Sequence, residues 1–462
     1  MMKLTTNEEC ICPSPPKTMP NQLLQEKSHR KGHQSKPNTG SSSNPTRRQW
    51  LKTTSSSLAC AAVALKAPYV IAKKTVTLRV MGTHVTLQEA LRQRAMKDLG
   101  INIVYEPKGS AAVLQKASMQ PESFDLYEQW SNSIDILWNS GSIAPIEKER
   151  LTYWPEINAL TKTGRLNPKA KIGAGDAPYK LLYVQPSGDL GSTPSNQISF
   201  LPYVHNVDSF GYNTAVIPKG IPYVTESWGW LLDPKYRGKV AVVNAPTIGL
   251  FDMALAAQAQ RLMVINDIGN ISKPELDELF HILAQKKQEG HFSGYWNSVP
   301  ESIEFMKTGR VVIESMFSPA VASLNGQDIP VVYAAPKEGY RGWHGVMCLS
   351  SSTTGATKEA AYDYMNWWLS GWPGAFIARQ GYYISNPERS RELLSEEEWN
   401  YWYAGKETTM PLKGTDGKIS VQAGHTRTGG SYEKRFSNVA VWNTVMPTYD
   451  YTLQKWYEFI SS

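Results

Sequence analysis

Cysteine is nearly missing from this 462-residue chain: four occur, and Cys10, Cys12 and Cys60 all precede residue 73, leaving Cys348 alone in the remainder. One cysteine excludes an internal disulfide there, so that part must draw its stability from packing. No uninterrupted apolar run reaches the ~18 residues of a membrane-crossing helix. Excess charge is missing as well, once the chain is divided. The formal charge is +7, but ten of the 48 Lys and Arg and only three of the 41 acids lie in residues 1–72, which leaves 38 of each sign. A balanced remainder lacks the basic footprint of a nucleic-acid or anionic-membrane binder, so nucleic acid is not an expected partner. Catalytic and metal spacings are absent too: there is no G-x-S-x-G elbow, H-x-H, C-x-x-C or H-E-x-x-H. No activated nucleophile or acid–base pair can be read, and an enzyme is not expected.

What is present begins with a leader. Residues 1–45 are polar and low in complexity, a composition that cannot build a packed core, and they read as a disordered leader. Next come Thr46-Arg47-Arg48-Gln49-Trp50-Leu51-Lys52 and the apolar stretch "SSSLACAAVALKAPYVIA". This arrangement resembles a twin-arginine signal peptide over 46–72, with Val70 and Ala72 spaced for cleavage after Ala72. It implies export to the periplasm, with the twin-arginine translocase as a transient partner. Ser57 stands where a lipobox would carry leucine, so Cys60 is not read as a lipidation site.

The remaining ~390 residues exceed what one core usually serves, so two domains are expected. "TVTLRVMG" (75–82) alternates like a strand, and "LQEALRQRAMKDLG" (87–100) carries a helical apolar stripe stopped by Gly100. "INIVYEP" reads as a strand, "AAVLQKASM" as a helix and "SFDLYEQW" as a third strand. That order predicts a parallel, doubly wound sheet. It resumes with the strand "GKVAVVNAP", the helices "LFDMALAAQAQRL" and "PELDELFHILAQKKQEG", and the strand "RVVIESMF". "IPVVYAAP", "GVMCLS" and a helix in "ATKEAAYDYMNWWLSG" close the series. "NWW" and "EEEWNYWYAGK" read as helical packing. "GAGDAP" lies in a polar insertion rather than at a strand-to-helix turn, which argues against a phosphate cradle.

"WLLDPKYRGKVAVVNAP", "IPVVYAAPKEGYRGWHG" and "TKEAAYDYMNWWLSG" resemble blocks of the solute-binding proteins of ABC importers, in particular the spermidine/putrescine-binding group. "LPYVHNVDSFGYN" (201–213) resembles that family's first crossover between lobes, and "GYYISNP" (381–387) its later one. The resemblance implies an α/β, type II periplasmic-binding-protein fold of two lobes, each a doubly wound, mostly parallel sheet, hinged by strand crossovers. It places one lobe at 73–203 and 335–381 and the other at 204–334 and 382–462. It further implies hinge closure over a small-molecule ligand, delivery to an ABC permease in the inner membrane, and no cofactor.

Ligands of open α/β sheets sit beyond the carboxyl ends of the strands. The candidate ligand-binding residues are therefore Thr83 and His84, Glu128, Trp130 and Ser131, His205 and Asp208, Thr247, Phe317, and Tyr340, Trp343 and His344, to which the family resemblance adds Tyr382. Several polyamine-gripping positions implied by the resemblance are changed. "MGTHVTL" carries no acid after the first strand, His205 aligns with a family tryptophan, Asn244 and Thr247 replace acids, and Gly345 aligns with an aspartate. Trp343 keeps an aromatic position. The solute thus stays open between a polyamine-like amine and another compact polar molecule. Two alternatives stand beside these: a metal, metal chelate or anion held by His84, His205 and His344, and an exported enzyme on the same fold. Changing Arg47 and Arg48 together to Lys is expected to leave uncleaved precursor in the cytoplasm, read by fractionation and immunoblotting. Undiminished periplasmic accumulation would refute the signal assignment.

Overall fold

The computed structural model describes residues 75–461, so the leader, the signal peptide and its cleavage point lie outside the described residues. We label the strands that position the site β1 (Thr77–Gly82), β2 (Asn102–Pro107), β3 (Leu126–Trp130), β4 (Leu201–Asn213), β5 (Val240–Val243), β6 (Phe292–Trp296), β7 (Ile313–Met316), β8 (Val331–Tyr333), β9 (Tyr340–Ser350), β10 (Tyr383–Ile384) and β11 (Val439–Trp442). The helices used below are α1 (Glu89–Leu99), α2 (Ser110–Met119), α3 (Pro246–Ala259), α4 (Lys273–Gln288), α5 (Val299–Lys307), α6 (Ser318–Asn325), α7 (Gly355–Trp368) and α8 (Tyr449–Ser461).

Local signals set the helix ends. Gly100 takes φ 65° and its N–H bonds the Met96 carbonyl, so α1 stops where the stripe ends. Ser272 with Glu275, and Ser298 with Glu301, form reciprocal capping boxes that start α4 and α5. The α/β order read from the sequence is observed.

The strand order is β6–β5–β7–β4–β9–β3–β1–β2. β2, β1 and β3 run parallel, with β9 antiparallel to β3. β6, β5 and β7 run parallel, with β4 antiparallel to β7. Each half is thus three parallel strands and one reversed strand, and the two reversed strands pair with each other. β4 changes partners along its length. Residues up to Asp208 face β9, whereas Ser209–Tyr212 face β7. Twelve of the 13 residues of β4 and all 11 of β9 are buried, which is why both read as apolar-rich runs without clean alternation.

One hydrophobic cluster gathers Leu78, Leu91, Ile103, Tyr203, Trp343, Met347 and Trp368, and another gathers Phe210, Trp228, Val242, Phe251, Leu279 and Trp456. The two divide along β4 between Val204 and Phe210. A third, aromatic cluster of Val207, Tyr340, Tyr383, Tyr432, Phe436 and Trp442 backs the crossing strands.

A buried ion network holds this crossing. Arg341 of β9 lies 3.4 Å from Asp208 of β4 and 2.8 Å from Asp252 of α3. All three side chains are essentially out of contact with solvent. Removing one member of such a network leaves a charge buried without its partner, at a cost of about 3–5 kcal/mol. Arg341→Gln is therefore expected to lower unfolding free energy by about that amount near neutral pH, measured by urea denaturation. The deficit should shrink in acid, where both carboxylates can take up protons; a deficit that stays flat with pH would refute the charge account.

Candidate functional site

The crossing strands present two faces, and alternation decides what each can do. On one face, Asn206 stands opposite Trp343 and Asp208 opposite Arg341. Trp343 packs edge-on to Trp130, with ring centroids 4.8 Å apart, and to Tyr382 at 5.6 Å. Trp130 ends β3, Ser131 follows it in a short 3-10 turn, and Tyr382 directly precedes β10. Three rings from three segments therefore meet beside one buried carboxylate.

Burial pushes the Asp208 carboxyl up to about 6, while the Arg341 guanidinium pulls it back down. The Tyr333 hydroxyl, 3.2 Å from Asp208 Oδ1, also favours the charged form. Asn206 is fully buried, and neither atom of its amide has a hydrogen-bond partner. Asn132, behind Ser131, also holds a buried, unpartnered carbonyl oxygen. Buried amides are rarely left so, and leaving one unpaired costs about 1–3 kcal/mol. This face can thus offer aromatic surface, one carboxylate and amide groups.

The opposite face carries His205 and His344, whose rings stack 4.8 Å apart. His205 Nε2 meets the Tyr432 hydroxyl at 2.7 Å, and His344 Nε2 meets Thr161 at 3.0 Å. His344 Nδ1 lies 2.9 Å from the Gly345 carbonyl oxygen. Burial depresses both imidazoles, His344 to about 4, so they are neutral members of the aromatic backing. His84, in contrast, is exposed after β1. His205 and His344 are brought together and His84 is not part of their stack, so the three histidines do not form the joint metal site that the sequence offered as an alternative. Among the described residues no group of three or more His, Cys, Asp and Glu is placed to hold a metal. Tyr340 also belongs to this backing; it is fully buried, with the Arg435 guanidinium 5.2 Å from its ring.

The other candidates divide in the same way. Glu128 is buried in the half that contains β1 and β3, where its Oε2 accepts from the Tyr203 hydroxyl at 3.0 Å and its Oε1 has no partner. It lies among Thr86, Tyr203 and Tyr364 rather than beside Trp343. Thr83 is buried in the turn after β1. Thr247 is half-buried in the first turn of α3, and Phe317 packs edge-on to Trp296 at 5.0 Å. None of these three touches the Trp130–Trp343–Tyr382 group through a ring or hydrogen bond. Gly345 explains one changed position: a Cβ there would stand 2.9 Å from the Val204 carbonyl oxygen, too close for any larger residue without backbone movement.

Sequence reasoning missed Asn206, Tyr333 and the Arg341–Asp252 pair. Asn206 had a usable signal, since it lies two residues before Asp208 and strand periodicity puts both on one face. The alignment of His205 with a cleft tryptophan is off that face by one residue.

A family profile for bacterial extracellular solute-binding proteins matches residues 90–390. The chain belongs to that family. Solved structures similar to it include a putative spermidine/putrescine ABC transporter from Listeria monocytogenes, at 14% identity and TM-score 0.58, covering 83% of this chain and 99% of that one. A spermidine/putrescine ABC transporter substrate-binding protein from Streptococcus pneumoniae matches at 14% identity and TM-score 0.55, over 84% and 100%. A periplasmic binding protein from A. tumefaciens, solved with agropinic acid, matches at 12% and 0.52, over 84% and 99%. At these identities the likeness establishes the fold: the two-lobed, type II arrangement with strand crossovers. No curated protein is significantly similar in sequence. Family membership makes this chain an extracellular solute-binding protein.

Glu128 carries a pH consequence. Burial raises its carboxyl from 4.5 to about 7, against the smaller downward pull of Thr86 and Tyr203. Between these values the folded protein holds a proton that the unfolded chain releases, so stability falls as pH rises through the window and then levels. Glu128→Gln should abolish that fall and gain about 3 kcal/mol above neutrality. Thermal unfolding near pH ~5 and ~8 reads this. An identical pH response in both proteins would refute it.

Proposed function

We propose that this solute-binding protein is the periplasmic receptor of an ABC importer, capturing a compact solute with one cationic head between lobes 73–203/335–381 and 204–334/382–462 and delivering it to an inner-membrane permease. Export through the twin-arginine translocase belongs to the same reading and rests on the leader sequence alone. The observation that carries the ligand assignment is the meeting of Trp130, Trp343 and Tyr382 beside Asp208, with the unpaired Asn206 amide in the same face. A cation over an aromatic face gains about 0.5–2 kcal/mol, and several rings around one head share that role.

The charge balance limits the solute. Asp208 is the one carboxylate on this face beside the rings, and it already shares Arg341 with Asp252. A multiply charged polyamine would leave further ammonium groups buried without partners, at several kcal/mol each. One ammonium or quaternary amine on a compact body suits the site better. Its amide-complementary polar group would meet Asn206. A ligand touching both lobes favours the closed form, and that form is what a permease reads.

A thermal-shift screen of the protein against choline, betaine, putrescine and spermidine tests this. Stabilisation by a monocation, weakened at least about tenfold by Trp343→Ala in titration calorimetry, is the expected outcome; tenfold corresponds to a loss of ~1.4 kcal/mol, within the reach of one lost ring. Unchanged affinity in the variant would remove Trp343 from the site. A response to spermidine alone would overturn the single-charge limit.

A further inference from the structure

Behind the crossing strands lies a second place with an unexplained charge. α6, β8 and the C-terminal segment 401–435 enclose a cavity of about 140 Å³, lined by Ser318, Tyr333, Trp402, His425, Arg427 and Arg435 among others. None of its lining residues is acidic. Both arginines are buried, and among the described residues neither forms an ion pair.

The two differ in how their donors are used. Arg427 is spent on structure: Nη1 donates to the Tyr383 hydroxyl at 2.6 Å and the Trp402 carbonyl at 3.2 Å, and Nη2 donates to the Gly381 carbonyl at 2.7 Å. Arg435 donates only from Nη1, to the Thr428 carbonyl at 2.7 Å. Its Nε and Nη2 are buried without any acceptor, as is Trp402 Nε1. Guanidinium cannot shed its proton, so a buried one keeps its charge whatever the surroundings. Arg435 and Trp402 both border the cavity, and three of their donor atoms, buried just behind its surface, have no protein acceptor.

We propose that this chamber binds a compact oxyanion, a carboxylate or phosphate held in a fork by Arg435 and faced by Trp402. Arg435 offers the planar donor geometry that such groups accept in pairs. A cavity of this size takes a benzene-sized molecule, so the anion is limited to a few heavy atoms. The chamber lies across the crossing strands from Trp343, since Tyr340 and Arg435 belong to the side that carries His205 and His344, and it touches the other face only through Tyr333, bonded to Asp208, and Arg427, bonded to the Gly381 carbonyl beside Tyr382. It adds to the solute-binding reading and does not depend on which solute the cleft takes.

The test uses the full chain in thermal-shift and calorimetric titrations with potassium acetate, succinate, benzoate, phosphate and sulfate, each against chloride at equal ionic strength. Saturable stabilisation by one of these above the chloride control is expected, and which one responds distinguishes carboxylate from phosphate. No response beyond chloride overturns the proposal. Arg435→Met should weaken the responding anion at least about tenfold, as the loss of a charged hydrogen-bonding pair requires. The anion-free variant should unfold at the same or a higher temperature, because an unpaired buried charge has been replaced by an apolar side chain. If Arg435→Met unfolds earlier while the anion response persists, Arg435 is a strut for Thr428 and the proposal fails. Trp402→Phe keeps the ring and removes only the idle indole N–H, giving a second variant that tests the donor without touching a charge. Trp343→Ala locates the response: loss of anion stabilisation in that variant would assign it to the cleft and overturn a separate chamber.

Discussion

Everything in this molecule that bears on ligand capture hangs on the Asp208–Arg341–Asp252 network at the strand crossing. Its members come from β4, β9 and α3, so one guanidinium ties both crossing strands to a helix of one half. Buried ion networks add little stability compared with apolar packing, yet they tolerate almost no change of register, since a one-residue slip strands a charge. The pairing of Asp208 with Arg341 lies two residues along from that of Asn206 with Trp343, on the same face. Fixing the first therefore fixes the second, and with it the position of the ring that Trp130 and Tyr382 surround.

The same register explains why the site is lopsided in charge. Asp208 and Asp252 together outnumber Arg341, so this face of the crossing holds a surplus carboxylate, its pKa raised by burial and held back by the Arg341 guanidinium. On the other face the surplus is positive: Arg427 and Arg435 lie among tyrosines and carbonyl groups, without an acid. Neutral His205 and His344 separate the two, stacked and hydrogen-bonded to Tyr432 and Thr161. A charged imidazole there would repel the arginines across a low-dielectric gap, and burial removes that charge.

How much of this was legible in the chain follows from what each feature depends on. The order of strands and helices depends on local periodicity and on caps such as Gly100, and it could be read. "LPYVHNVDSFGYN" is recognised only by its resemblance to a family crossover, and it coincides with β4, Leu201–Asn213. β6 is missing from the sequence reading: its Gly294 breaks the strand pattern in "FSGYW" and leaves room for the Phe305 ring of the helix that follows, a packing demand that local periodicity does not show. The site was half legible. Trp130, Asp208 and Trp343 come from segments at strand ends and Tyr382 from the family resemblance, and these four side chains lie together. His205 and His344 were chosen by the same rule, but a segment name does not say which face of a strand a residue takes. Pairing register decides that, and register arises between strands 130 or more residues apart in sequence, beyond any local pattern.

One side chain joins the two faces. The Tyr333 hydroxyl accepts from the Ser209 N–H at 2.9 Å and has a single proton for two acceptors, Asp208 Oδ1 at 3.2 Å and the Met316 carbonyl at 3.1 Å. Tyr333 also lines the arginine chamber, and Met316 closes β7 two residues ahead of Ser318, another chamber residue. Were the proposed cation bound beside Asp208, it would weaken that carboxylate as an acceptor and favour donation to Met316; the proposed anion near Tyr333 would act in the opposite sense. Coupling between two sites is reciprocal whenever one group answers to both. In this fold that group would be Tyr333, a phenol that burial keeps protonated, so only the direction of its O–H bond is left to change.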